Sequence, residues 1–141
     1  MEITKLIHGS ENVVEALGGW PDFHDAEVIS FSASRALPPN ANSPVTSLCV
    51  HVRQYAEIGV GTAYYELAVT KSVLVKFSFG GVSDISISEF NHQNVIDSIQ
   101  FTPTADGKII VLIESIWGFG GKIKCSSASI ESIQELPVVC A

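Results

Sequence analysis

The 141-residue sequence has only three cysteines, Cys49, Cys125 and Cys140, and no CxxC pair. An odd number without paired spacing argues against a disulfide framework and against a structural zinc site. The thiols are expected to be small buried hydrophobes. Charge is also sparse, at 16% of residues, and basic charge most of all: 8 Lys and Arg stand against 15 Asp and Glu, a net charge of −7. Nucleic-acid binders carry a basic footprint, so DNA and RNA are not expected partners. The first nine residues lack an apolar signal segment, and the longest apolar run, 109–113, is far too short to span a bilayer. A cytoplasmic protein with no membrane partner is predicted. Gly-x-Ser-x-Gly, the P-loop and Gly-x-Gly-x-x-Gly are all missing. Cys49 and Cys125 fall in predicted strands with no His–Asp set beside them. No enzyme activity and no cofactor are expected.

What is present is apolar periodicity. Hydrophobic residues make up 46% of the chain, enough for one core over a single domain, 1–141. Residues 10–19 predict a short helix, with Ser10 as cap, Val13, Val14 and Leu17 as its apolar stripe, and Gly18 as its stop. From Glu27 the period changes to two. Ile29, Phe31 and Ala33 alternate with serines; Leu48, Val50 and Val52 follow, with His51 and Arg53 on the opposite face. Further strands are predicted at 65–69, 73–79, 85–87 and 95–101. After the Asp106-Gly107 hairpin signal comes 109–113, apolar on both faces, which calls for a central strand covered by a helix or loop. A last strand starts at Ile123 and extends to Ile130 or Ile133. Short connections favour an α+β fold: an antiparallel β-sheet meander with one short N-terminal helix packed on it.

Phe23-His24-Asp25-Ala26-Glu27 is the densest ionisable cluster. His24 with Asp25 or Glu27 offers metal-ligand chemistry, but neighbours on a strand point to opposite faces unless the chain turns there. A simpler role has Asp25 accepting backbone N–H groups. His92, in Phe90-Asn91-His92-Gln93-Asn94, is the distant titratable group expected to partner His24 or Asp25. That polar segment either binds a ligand or bonds back to its own backbone. A metal-dependent hydrolase using His24, Asp25 and His92, or a small-ligand module with a pocket in the apolar sheet, is the alternative to a binding protein. Asp97 interrupts an apolar face between Val95 and Ile99, so it is either buried with a partner or an inward charge on an edge strand. Glu114 poses the same question. Trp20, Trp117 and Phe119 read as core lids, or else as exposed interface anchors.

The acids are unevenly placed. No Lys or Arg occurs from 6 to 34, a stretch holding Glu11, Glu15, Asp22, Asp25 and Glu27; a second acid-only stretch, 77–107, holds Asp84, Glu89, Asp97 and Asp106. Side by side, the two make a negative surface suited to a basic partner. The partner-binding candidates are Trp20, Asp22, Asp25 and Glu27 from the first stretch. Asp84, Glu89, Asn91, His92 and Gln93 come from the second. Exposed edge strands leave monomer and homodimer both open.

Three ordered motifs resemble a known family. Trp20-Pro21-x-Phe23-His24-Asp25-Ala26-Glu27-Val28, then Phe90-Asn91-His92-Gln93-Asn94, then Glu114-Ser115-x-x-Gly118-x-Gly120-Gly121 are similar to the signatures of the immunity protein 50 family of bacterial polymorphic-toxin systems. The likeness runs from about Gly18 to Ile130. It implies an α+β fold and a protein that binds and neutralises a cognate toxin, and it supplies no catalytic residues. The acidity suits a basic, nuclease-type toxin. Such motifs often encode the fold, and toxin contacts tend to lie on loops that vary with the toxin. Residues 36–45 and 55–64 fall outside the signatures.

Overall fold

Gly9 and Gly18 bracket the main helix, both in left-handed conformation (φ 83° and 81°), which glycine adopts without a Cβ penalty. Helix α2 (Ser10–Leu17) closes with the Gly18 N–H on the Val14 carbonyl, as expected. Its start differs from expectation. Gly9 is the cap residue, and Ser10 lies inside the helix with a buried hydroxyl that has no hydrogen-bond partner among the described residues. Val13 and Leu17 are buried while Val14 is exposed, so the stripe is narrower than predicted. A single turn, α1 (Ile3–Leu6), and a two-residue strand, β1 (Ile7–His8), precede it. The computed structural model describes residues 3–38, 40 and 43–138. Cys140 lies outside them.

The other strands are β2 (Glu27–Ser34), β3 (Val45–Ile58), β4 (Glu66–Gly80), β5 (Asp84–Ser88), β6 (Val95–Pro103), β7 (Ile109–Trp117), β8 (Gly120–Cys125) and β9 (Ser127–Glu135). They hydrogen-bond in the order β1-β9-β4-β3-β2-β6-β7-β8-β5, antiparallel except for β1 on β9. This is the α+β class expected. The meander comes in two runs, β2-β3-β4 and β6-β7-β8. Between them β2 and β6 share one strand pair, Glu27 with Val95. At the other end only Ser126 separates β8 from β9. One strand course thus switches from one half of the sheet to the other, and the halves fold over a common core.

That core is the alternate face of each strand. Leu48, Val50 and Val52 of β3 are buried with Val73, Val75, Phe77 and Phe79 of β4, and Val111, Ile113 and Ile123 close it from the other half. Ring contacts cross between the halves: Phe77 and Phe79 stand 5.9 and 6.5 Å from Phe101 of β6, and Phe31 stands 5.6 Å from Phe119. Each such side chain, taken from water, contributes roughly 1.5–3 kcal/mol. Trp20 packs edge-on against Phe23, Phe77 and Phe101, which makes it a lid over the core.

Several elements depart from the sequence pattern through bulges. In β2 the register shifts between Val28 and Ser30, so Val28 and Phe31 face inward while Ile29 is exposed. Two neighbouring inward positions absorb one extra residue. The predicted strands 65–69, apart from Tyr65, and 73–79 belong to one long strand, β4, bulged where Thr70 is skipped between Lys71 and Val69. The run 109–113 is central, as expected, with β6 and β8 on either side of it. Outward-facing Ile110 sits between Thr102 and Lys124, and Leu112 between Gln100 and Lys122. Lysine stems shield such positions while their charges stay wet.

Candidate partner-binding surface

The first signature segment turns tightly before entering β2. Phe23 (φ 63°) and Asp25 (φ 64°) both take left-handed conformations. The turn is held by the Asp22 carboxylate, whose Oδ1 accepts the His24 N–H at 2.9 Å. The local backbone acceptor is therefore Asp22, where Asp25 had been expected. The same turn overrides strand alternation: His24 Nε2 lies 3.6 Å from Asp25 Oδ2. The distant partner of His24 is Asp97, not His92, at 2.9 Å from Nδ1.

Asp97 reaches His24 because β6 bulges there. Its register shifts between Ile96 and Ser98, turning Ile96 and Ile99 inward and leaving Asp97 in solvent. Asp97 is thus neither buried nor an inward edge charge. The hydrogen bond to Asp97, then the charge of Asp25, raises the His24 pKa above its ordinary value. The His24 ring and the two carboxylates are each half exposed or more.

Strand pairing sets the rest of the face. Glu27 opposes Val95, and Val95 opposes Trp117, so the three form one row across β2, β6 and β7. Glu114 opposes Ser98, whose hydroxyl donates to Glu114 Oε2 at 3.5 Å. Glu114 is exposed. Trp117 is 59% exposed and Phe90 53% exposed, against the expectation that Trp117 lids the core; of the three aromatics weighed as lids, Phe119 is the fully buried one. Glu89, Phe90, Asn91, Ile116 and Trp117 line a shallow groove beside this row. Among the described residues, no lysine or arginine bridges Asp22, Asp25, Glu27, Glu89, Asp97 or Glu114. Asp84 and Asp106 lie elsewhere, around Lys124: Asp84 pairs with it across β5 and β8, and Asp106 meets it at 3.5 Å.

The second signature segment shapes its own loop. The buried Asn94 amide is its centre. Asn94 Oδ1 accepts the N–H groups of Asn91 (2.9 Å) and Phe119 (3.2 Å), and Nδ2 donates to the carbonyls of Asn91 (2.8 Å) and Val28 (3.3 Å). Asn91 in turn accepts the Gln93 N–H and donates to the Glu89 carbonyl. His92 and Gln93 point to solvent. Gly118 closes the third segment against the second: a Cβ there would sit 2.6 Å from the Gln93 carbonyl and 2.8 Å from Asn94 Oδ1. One side chain, Asn94, therefore ties Val28, Asn91 and Phe119, a residue from each motif.

With all three motifs locked together, the family comparison agrees with the geometry: the Immunity protein 50 family model matches residues 9–136. The chain belongs to the Immunity protein 50 family. No curated protein and no solved structure matches it. In this immunity protein the motif residues Asn94, Gly118 and Phe119 hold the fold, while Asp25, Glu27, His92 and Trp117 face outward.

The partners of His24 are not the set expected for a hydrolase using His24, Asp25 and His92. His24 meets Asp25 and Asp97, and no group of three His, Cys, Asp or Glu side chains among the described residues is placed to hold a metal ion. Burial pushes the Cys125 thiol up to about 11 and raises that of Cys49, which leaves both as poor nucleophiles. Sequence reasoning missed the His24–Asp97 pair. Its signal was the carboxylate at 97 interrupting an apolar alternation, which marks a bulge as readily as a buried charge.

Proposed function

We propose that this immunity protein neutralises a cognate toxin by covering it with the acidic face around Trp117, and that the toxin is basic, of nuclease type. One observation carries the reading. Carboxylates from the two acid-only stretches, Asp22 and Asp25 from one and Asp97 from the other, gather around His24 without a lysine or arginine partner among the described residues, and the adjoining strand row Glu27–Val95–Trp117 carries an exposed tryptophan. An apolar anchor near carboxylates that no lysine or arginine neutralises among the described residues suits a partner of the opposite sign. The charges speed encounter, and the desolvated aromatic slows dissociation. Glu27, Glu89, Asn91, His92 and Gln93 extend this face; Trp20 supports it from the core and Asp84 stands apart. The protein acts in the cytoplasm of a bacterium that makes the toxin, without cofactor.

The test is co-expression with the toxin-like protein encoded beside its gene. Wild-type protein rescues growth, and Trp117→Ala combined with Asp25→Lys and Asp97→Lys, folded normally by circular dichroism, does not. Absence of rescue and of any complex with the wild type removes the proposal.

A further inference from the structure

The β3–β4 hairpin outruns the sheet. The last β2 partner of β3 is His51, opposite Glu27, and the last β9 partner of β4 is Val73, opposite Glu135. Just beyond them the Leu136 N–H still donates to the Ser72 carbonyl at 2.8 Å, and the side chains of Gln54 and Lys71 reach the Leu17 and Ala16 carbonyls of α2; from Tyr55 with Val69 out to Ile58 with Glu66, β3 and β4 pair only with each other among the described residues. Among the described residues this two-stranded arm has both outer edges unpaired.

Its composition is unusual for an exposed edge. Of the fourteen large hydrophobics exposed among the described residues, six lie on this one arm: Tyr55, Ile58, Val60, Tyr64, Tyr65 and Leu67. Free edges are normally blunted with lysine, proline or inward charge. From Gln54 to Thr70 there is no Lys, Arg or Pro, and the only charges are Glu57 and Glu66. The arm is also pre-shaped. Thr62 bonds the Gly59 carbonyl through both its N–H (3.0 Å) and its hydroxyl (2.7 Å), and the Thr70 hydroxyl donates to the Gln54 carbonyl across the bulge at 3.2 Å. Open edge groups, apolar side chains and a fixed shape make a template for one more strand.

We infer that the arm takes up an extended segment of the toxin as an added β-strand, one whose apolar residues alternate with lysine or arginine. The charge decides between this occupant and a second copy of the chain. Two arms paired together over 55–58 and 66–69 bring four carboxylates into one small sheet, with Arg53 and Lys71 only at its base and Lys71 already bonded to the Ala16 carbonyl, whereas a basic strand neutralises Glu57 and Glu66. The inference rests on the proposed neutralisation by binding, and adds a second contact away from the acidic face.

Hydrogen–deuterium exchange on the intact protein, alone and mixed with the full-length toxin encoded beside its gene, tests it. In the complex, amides of 55–58 and 66–69 exchange tenfold slower or more, and Tyr65→Asp with Leu67→Asp weakens binding tenfold or more while leaving the thermal midpoint near that of the wild type. A complex that forms with arm amides unprotected overturns the arm and leaves the acidic face standing. No complex at all overturns both. Arm protection that depends on the protein's own concentration, without toxin, assigns the edge to a second copy and also overturns the inference.

Discussion

His24 and Asp97 stand 73 residues apart in the chain and 2.9 Å apart in space, joined across the narrow β2–β6 seam. The folded pKa of His24 lies above its unfolded value. The stabilisation from this pair is therefore fully present below the unfolded pKa of 6.5 and is lost as pH rises through the folded value. His51 runs the other way. Burial first, then Arg53, lowers its pKa, so the folded protein resists protonating it and gains stability as pH rises toward 6.5. Urea midpoints measured from about pH 5 to about pH 8 separate the two, because histidine titrates in that window. The difference between wild type and His24→Gln shrinks as pH rises, and His24→Gln alone becomes more stable with pH. A difference that grows with pH contradicts the pair.

Asn94 is the single amide joining three motifs. Asn94→Ala leaves the Val28 carbonyl and the Phe119 N–H without this partner, and a loss of about 2–4 kcal/mol in denaturant unfolding is expected from several abandoned buried groups. A loss within about 0.5 kcal/mol, the range of an ordinary surface change, means the hub does not hold the motifs together.

Gly118 has φ 78°, and an added Cβ meets the Gln93 carbonyl at 2.6 Å. Gly118→Ala therefore combines backbone strain with a clash against main chain, and is expected to cost about 1–3 kcal/mol by thermal or chemical unfolding. Gly107 tests the contrast. Its φ is also 78°, but open space surrounds it, so Gly107→Ala costs only about 1 kcal/mol, the conformational part.

Two aromatics in one turn play opposite roles. Phe119 is fully buried against Phe31 and Phe90, so Phe119→Ala costs about 3–5 kcal/mol of stability. Trp117 is exposed, so Trp117→Ala changes stability by about 0.5 kcal/mol or less. Its effect falls on toxin affinity, by tenfold or more, as for an interface anchor. Calorimetry on the two variants distinguishes the roles; a severely destabilised Trp117→Ala contradicts the outward placement.

Much of this was legible in the chain itself. Alternation named the inward residues of β3 and of the 73–79 part of β4, because an undistorted stretch shows its buried face at every second position; 109–113, apolar on both faces, carried no such cue. The three motifs named the family. What escaped the pattern lies at bulges and tight turns. Ile29 and Asp97 each occupy an extra residue that reverses the alternation, and a bulge is set by pairing with another strand, which a local period does not record. The meeting of His24 with Asp25 needs two left-handed residues, Phe23 and Asp25, neither of them glycine. Trp117 looked like a lid because it is large and apolar, yet β7 ends there and its row partner is the outward Val95.

The acidic face is tested most directly by stopped-flow association of the protein with the toxin encoded beside its gene, at increasing salt. The account predicts an association rate that falls about tenfold or more from low salt to about 0.5 M, as screening shortens the reach of the charges. It also predicts a much weaker salt dependence for Asp25→Asn with Asp97→Asn. A rate indifferent to both salt and these substitutions contradicts it.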